Sequence, residues 1–278
     1  MPGSAATHWA ALAAAWAKQG PPLRPGPEDV ERYRQAVSMH RPGDAGRRSV
    51  LLLGVTREIA TLAWPYPVEL TAADNSLSMI RALWKQDSGH RRVACADWRA
   101  LPLREGSLDV AAGDGCLSVI AFPQAARTMS RELRRVLRPD GLLALRLFCR
   151  PEADESVGSV HEALAAGAID NPHCLRWRIA MAVQGGDTGR GVSRDEIWRA
   201  YQPMAGDARR MMDRFAWAPE ALELFEAYRG GALRLHFPTL AESVAAMAEF
   251  RLAGVSQGIA GGAVHLGRIL ARVEHLQV

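Results

Sequence analysis

The sequence predicts an α/β fold: a mostly parallel sheet with helices on both faces. Three observations carry this expectation. The run Ser49-Val50-Leu51-Leu52-Leu53-Gly54 is apolar without alternation, as in a strand buried on both faces. After it, short apolar runs and amphipathic stretches alternate, which implies βαβ crossovers. Hydrophobic residues make up 48% and charged residues 23% of 278, enough for one large core plus a cap.

Taken in order, the alanine-rich start places Trp9, Leu12 and Trp16 on one helical face. Gly20-Pro21-Pro22 and Pro25-Gly26-Pro27 then break the chain before a helix over Glu28 to Val37, and Arg41-Pro42-Gly43-Asp44 reads as a loop. The first strand follows at Ser49 to Gly54. Val68 to Ala73 is a second strand and Asn75 to Lys85 a helix. Arg92 to Ala96 is a third strand and Ser107 to Gly113 a fourth. A helix from Phe122 to Leu137 turns Met129, Leu133, Val136 and Leu137 inward, and Gly141 to Phe148 is a fifth strand. Residues 151–230 carry no clear strand and read as helices broken near Asn171-Pro172 and Gly185-Gly186-Asp187. A helix over Pro238 to Phe250 and strands at Gly254 to Ile259 and Leu266 to Val273 close the chain. The expected divisions are an N-terminal helical segment (1–48), the core (49–150), a helical insertion (151–232) and C-terminal strands completing the sheet (233–278).

The bulk chemistry narrows the function. Net charge is +4, yet only Lys18 and Lys85 among the 34 basic residues are lysine, and the arginines are scattered in pairs such as Arg47-Arg48, not gathered in a tract. Nucleic acid is therefore not the expected partner. Cys95, Cys116, Cys149 and Cys174 have neither zinc-site nor disulfide-framework spacing, so no metal is expected. The first three lie in or beside apolar runs and read as buried thiols in a reducing cytoplasm. The start lacks a basic n-region and a long apolar core, and no run of about 18 apolar residues suggests a membrane span.

Three acids sit at successive strand ends: Asp74, Asp97 and Asp114. Ligands of open α/β sheets bind outside those ends. Asp74 lies 20 residues after Gly54, about where a second-strand acid meets a ribose diol. Its other reading is a helix cap. Asp97, with Trp98 beside it, could face an adenine ring or simply make a turn. Gly113-Asp114-Gly115 likewise reads as a ligand contact or as turn chemistry.

The segments VLLLGVTREIA, VELTAADNSLSMI, VACADWRALPLREGSLDVAAGDG and RELRRVLRPDGLLALRLF come in an order that resembles class I S-adenosylmethionine-dependent methyltransferases, in particular the small bacterial type-11-like group. The resemblance spans Val50 to Phe148 and implies a Rossmann-like, seven-stranded sheet closed by one antiparallel strand. It also implies roles. Gly54 and Val55 admit the methionine part of the cofactor. Asp74 holds the ribose, with Asn75 and Met79 near it. Asp97 and Trp98 frame the adenine, and Asp114 and Gly115 lie beside the sulfonium and the acceptor.

The glycine-rich loop departs from that pattern. Thr56 and Glu58 stand where glycines are usual, and Leu52 where an acid is. Either Thr56 caps the next helix and Arg57 helps hold the cofactor carboxylate, or the loop has closed and leaves a non-catalytic scaffold. The leading expectation is a methyltransferase for a small-molecule acceptor, with the scaffold as the alternative. A nicotinamide oxidoreductase fits poorly, because GxGxxG is missing. His161, His173 and Asp114 are the candidate bases, with none assigned, and a structural histidine is the plainer reading of His161. Trp177, Trp198, Tyr201, Met204, Met211, Met212, Phe215 and Trp217 could line an apolar acceptor pocket, though packing of a helical cap is the plainer reading. Arg176, Arg178, Arg209, Arg210 and Arg214 read as a solvated face, with reception of an acidic acceptor as the other possibility.

Overall fold

The computed structural model describes residues 9–10, 13–14, 16, 19–40, 46–85, 88–260 and 264–272, with side chains described as far as Val255. Leu12, the Arg41–Asp44 loop and Val273 lie outside the described residues.

Helix α1 (Pro27–Met39) precedes β1 (Arg48–Leu53), α2 (Arg57–Ala60), β2 (Val68–Asp74), α3 (Leu77–Leu83), β3 (Arg91–Cys95), β4 (Leu108–Asp114), α4 (Gln124–Val136) and β5 (Leu137–Cys149). Strands β8 (Arg251–Ala260) and β9 (Val264–Arg272) complete a seven-stranded sheet of order β3-β2-β1-β4-β5-β9-β8. The first five strands pair in parallel, and β9 runs antiparallel to both β5 and β8. This is the Rossmann-like arrangement expected from the sequence.

The unalternating β1 run is explained by its two faces. Leu51 and Leu53 pack into one core cluster with Met129, Leu133 and Val136 of α4. Val50 and Leu52 pack into the other with Tyr33 and Val37 of α1. Successive strand residues point to opposite faces, so a strand covered on both sides must be apolar throughout.

Between β5 and β8 lie α5 (Val157–Ala165), α6 (Pro172–Gln184), α7 (Arg194–Tyr201), α8 (Ala205–Phe215), α9 (Pro219–Glu226) and α10 (Leu240–Ala246). A third core cluster, running from Leu23 through Phe148 to Phe237, joins these helices to the carboxyl end of β5. Helix α6 sits at its centre and is buried on nearly every side.

Three sequence expectations need correction. The fifth strand begins at Leu137, not at Gly141, so Arg138, Pro139 and Asp140 fall within β5, where Asp140 takes φ of 63° and the β4–β5 register shifts. From Leu108 to Val110 β4 advances two residues while β5 advances five, from Leu137 to Leu142, so three extra residues bulge out of β5, and Arg138, Pro139 and Asp140 are exposed. Residues 151–230 also contain β6 (Val192–Ser193), which pairs with β7 (Arg234–Leu235). Finally, Cys95 is exposed at the end of edge strand β3, whereas Cys116, Cys149 and Cys174 are buried.

Candidate functional site

A cleft opens at the carboxyl ends of β1, β2 and β4. Its inner half is bordered by Gly54, Val55, Thr56, Met79, Asp114 and Gly115, and its outer half by Asn75, Asp97, Arg99, Ile120 and Ala121. Asp74 and Trp98 border both halves. All ten sequence-predicted site residues thus meet in one continuous cleft.

Gly54 leaves β1 with φ of 89°, a backbone that favours glycine. Its amide donates to Ala73 O at 2.7 Å, binding the loop to the end of β2. A Cβ placed there would point between Asp74 Oδ2 (3.8 Å) and Trp98 Cζ2 (3.9 Å), so any larger side chain would fill the cleft. Trp98 is fixed by its Nε1, which donates to Ala73 O at 2.6 Å. Two neighbours of one carbonyl therefore define the narrow middle of the cleft.

Asp74 does not cap α3. Ser76 does, its hydroxyl accepting from Met79 N at 3.3 Å. Asp74 Oδ1 instead accepts from Ser76 N at 2.8 Å, which orients the carboxylate in a tight Asx turn. Partial burial raises its pKa to about 6, with the Ser76 amide opposing. At neutral pH it is ionised, at a cost that a hydrogen-bond donor in the cleft would relieve.

Asp97 behaves differently. The Arg99 guanidinium beside it holds its carboxyl below the ordinary value, against a weaker effect of burial. The pair stands at 2.5 Å on the exposed lip of the outer half.

Asp114 is locked in a buried network that sequence reasoning missed. Arg146 Nε donates to Asp114 Oδ1 at 2.6 Å, and Arg146 Nη1 contacts Asp29 Oδ2 (3.3 Å) and Pro22 O (2.9 Å). Desolvation opposes the charge on Arg146, but the two carboxylates overcome it and raise its pKa. Tyr33 donates to Gly113 O at 2.6 Å and accepts from Arg146 N at 3.1 Å, linking α1 to β4 and β5. The signal was available: an arginine inside Leu143-Ala144-Leu145-Arg146-Leu147-Phe148 cannot be solvated in a central strand, so it must have buried partners. Next to the pair, a Cβ on Gly115 would lie 2.9 Å from the Phe148 ring, and φ there is 64°. The residue must be glycine for β4 to turn against β5.

The loop residues resolve as follows. Thr56 is buried and starts α2, but its side chain makes no capping hydrogen bond; only its carbonyl enters the helix, accepting from Ile59 N and Ala60 N. The expected cap is therefore absent, because the chain turns through the Thr56 backbone alone. Glu58 swings away from the cleft and pairs with Arg24, whose Nε donates at 2.9 Å.

The candidate bases are all engaged. His161 pairs with Asp207 at 2.8 Å on α5, and it does not border the cleft. His173 Nε2 accepts from Gly20 N at 3.1 Å, and burial followed by Arg176 lowers its pKa to about 4. Asp114 is bound to Arg146. Of the apolar cap residues, Trp177 borders the inner half, while Trp198, Tyr201, Met204, Met211, Met212, Phe215 and Trp217 pack in or against the helical core.

Comparison with known proteins agrees with this geometry. Residues 52–145 match the family model described as a methyltransferase domain. A SAM-dependent methyltransferase from Methanosarcina mazei superposes with a TM-score of 0.53 at 15% identity, over 91% of this chain and 99% of that one. The PH0226 protein of Pyrococcus horikoshii gives 0.52 at 14% identity, over 93% and 98%. A Rhodobacter sphaeroides structure described as a Zn-dependent alcohol dehydrogenase gives 0.56 at 14% identity, over 96% and 97%. Identities this low speak for a shared fold. No curated protein matches the chain. The family match falls on the strands that build the cleft, so residues 52–145 are similar to a methyltransferase domain, on a fold that the superposed structures share.

Proposed function

We propose that the chain is an S-adenosylmethionine-dependent methyltransferase of the type-11-like kind, acting on a small-molecule acceptor. The observation that carries this reading is the placement of Asp74 at the waist of a two-part cleft, between Gly54 and Trp98. An elongated nucleoside with a polar diol at its centre suits that shape. The desolvated Asp74 carboxylate accepts from both ribose hydroxyls, and its raised pKa fits a group awaiting donors. Trp98 and Asn75 flank the outer half, where the adenine sits with Asp97 at its rim. Gly54, Val55 and Thr56 admit the methionine arm, and Met79 packs against it.

When bound, the sulfonium supplies an electrophilic methyl carbon. The chain aligns an acceptor with it and excludes water. Gly115 and Phe148 shape the wall at that point, and the Asp114–Arg146 pair holds β4 and β5 in register behind it. Because Asp114 is paired, it serves position and charge balance, not proton removal. An acceptor that is nucleophilic without a protein base therefore fits best. Residues 49–150 and 233–278 supply the cofactor sheet in this reading, and residues 1–48 and 151–232 cover it. Four free cysteines suit a cytoplasmic setting.

The altered loop favours one other reading, a scaffold that binds cofactor without turnover. Incubation with S-adenosylmethionine and a panel of small acceptors, with S-adenosylhomocysteine read by mass spectrometry, separates the two. Acceptor-dependent product supports the enzyme; tight cofactor binding with no product across the panel favours the scaffold.

A further inference from the structure

Two buried glutamines behave in different ways. Gln184 on α6 pairs both ends of its amide with one residue: Nε2 donates to Phe237 O at 2.9 Å, and Oε1 accepts from Phe237 N at 2.7 Å. Gln19 is 7% exposed and borders the inner half of the cleft, yet its Nε2 has no hydrogen-bond partner. Among the described residues nothing donates to its Oε1 either. A buried amide ordinarily satisfies both ends, so Gln19 is left for a molecule entering the cleft.

The backbone that carries Gln19 is fastened residue by residue. Gln19 N donates to Trp16 O at 3.1 Å and the Gly20 amide to His173 Nε2 at 3.1 Å. Asn171 Nδ2 then donates to Pro21 O at 3.1 Å and Arg146 Nη1 to Pro22 O at 2.9 Å. A side chain on so fixed a segment is a preorganised contact. The His173 bond sets Gln19 beside α6, where Trp177 follows one turn later. Trp177 borders the same half of the cleft, and its buried indole Nε1 is likewise unpartnered. Its ring lies 5.3 Å from that of Phe148, which packs against Gly115. Charge at this end is already matched. Of the charged residues bordering the inner half, Asp114 is bound to Arg146, and Arg194 donates to Ala227 O and lies over the Tyr228 ring. The third, Asp74, stands at the waist. Arg176 and Arg178, expected on a solvated face, are buried on α6 and border neither half. An ionised ligand would lose its hydration here without gaining a counter-ion.

We propose that this end of the cleft takes an uncharged, flat aromatic molecule, the methyl acceptor, whose carboxamide edge pairs with Gln19. Its carbonyl accepts from Gln19 Nε2 and Trp177 Nε1, and its N–H donates to Gln19 Oε1, as Phe237 does for Gln184. The last torsion of a glutamine is broad, so the amide turns to meet that edge without moving the backbone. Phe148 and Trp177 supply the aromatic walls. That this molecule is the methyl acceptor rests on the methyltransferase reading; the pairing does not. An uncharged nitrogen elsewhere on it needs no protein base. Its lone pair bonds the methyl carbon while the carbon–sulfur electron pair returns to sulfur, and the N–H proton of the product passes to solvent.

The test titrates the full chain with 2-naphthamide, 2-naphthoate and N,N-dimethyl-2-naphthamide, with and without S-adenosylhomocysteine, by calorimetry and ligand-observed NMR. Saturable naphthamide binding is expected, with naphthoate at least about tenfold weaker because its charge must be desolvated. The dimethyl amide, which keeps the carbonyl but not the N–H, should bind about threefold or more weakly. Gln19→Leu should lower naphthamide affinity about tenfold and leave S-adenosylhomocysteine affinity unchanged. Trp177→Phe, which keeps an aromatic wall but removes the donor, should lower naphthamide affinity about threefold. Naphthoate bound as tightly as naphthamide, both variants binding like the parent, or no naphthamide binding at millimolar concentration would overturn the proposal. A fall in S-adenosylhomocysteine affinity equal to that for naphthamide in Gln19→Leu would overturn it too, by giving Gln19 to the cofactor. If naphthamide binds through Gln19 while S-adenosylhomocysteine does not bind, the pairing stands and the cofactor reading falls. The reverse pattern removes the pairing alone.

Discussion

Replacing Asp74 with Asn should stabilise the empty protein and weaken the cofactor complex at once. The Asn side chain keeps an oxygen for the Ser76 amide, so the Asx turn survives. What is lost is a charge held in a partly dry site. Its pKa is about 6 in the folded chain against an ordinary 3.8. The native state therefore holds the proton more tightly than the unfolded chain. Near pH 4 and below, the carboxyl is largely neutral and costs little. As pH rises through 6 the native state must ionise it, and stability falls. A shift of that size corresponds to at most about 3 kcal/mol, and solvent reaching the open cleft reduces it to about 1–2 kcal/mol. Calorimetric melting at about pH 5 and pH 8 reads this directly: Asp74→Asn should melt higher than the parent at the upper pH, with the gap narrowing at the lower. In the same preparations, affinity for S-adenosylhomocysteine should fall by about 1.5–3 kcal/mol, the range for hydrogen bonds to a charged acceptor. That is roughly tenfold to a hundredfold. A variant that melts lower than the parent at the upper pH and binds the ligand as well would refute the reasoning.

Further expectations follow from the same geometry. Gly54→Val should abolish measurable S-adenosylhomocysteine binding while circular dichroism stays native in shape, since the new side chain fills the space between Asp74 and Trp98. Arg146→Met leaves Asp114 and Asp29 without their shared cation and should cost about 3–5 kcal/mol in urea unfolding. Tyr33→Phe, which removes one donor and one acceptor between α1 and the sheet, should cost about 1–3 kcal/mol in the same assay. Arg24→Gln releases Glu58 beside the first loop and should weaken S-adenosylhomocysteine binding; Glu58→Gln in the same background should restore it, as calorimetric titration would show.

The parts of this fold that the sequence made legible are those governed by local pattern. The apolar β1 run, the inward face of α4 and the acids closing successive strands all follow from side-chain period and strand-end placement. Less legible were features set by contacts distant along the chain. Nothing local distinguishes Arg176, which is enclosed, from Arg209 and Arg210, which are exposed on α8. The difference lies in which helix the cap wraps. The Asp29–Arg146–Asp114 network joins residues 117 and 32 positions apart. Arg146 alone gave a hint, as a charge in an apolar strand. Glu58 showed its charge in the sequence but not its partner Arg24, which sits 34 residues earlier. Cys95 looked buried because its neighbours are apolar, yet β3 is the sheet edge and turns that residue outward.

The central claim is that the cleft around Asp74 holds S-adenosylmethionine despite its altered glycine loop. Calorimetric titration of the purified chain with S-adenosylmethionine and S-adenosylhomocysteine tests it most directly. Micromolar, one-to-one binding that weakens below pH 6 as Asp74 takes up its proton is the predicted result. A natively folded chain that binds neither ligand at millimolar concentration would contradict it.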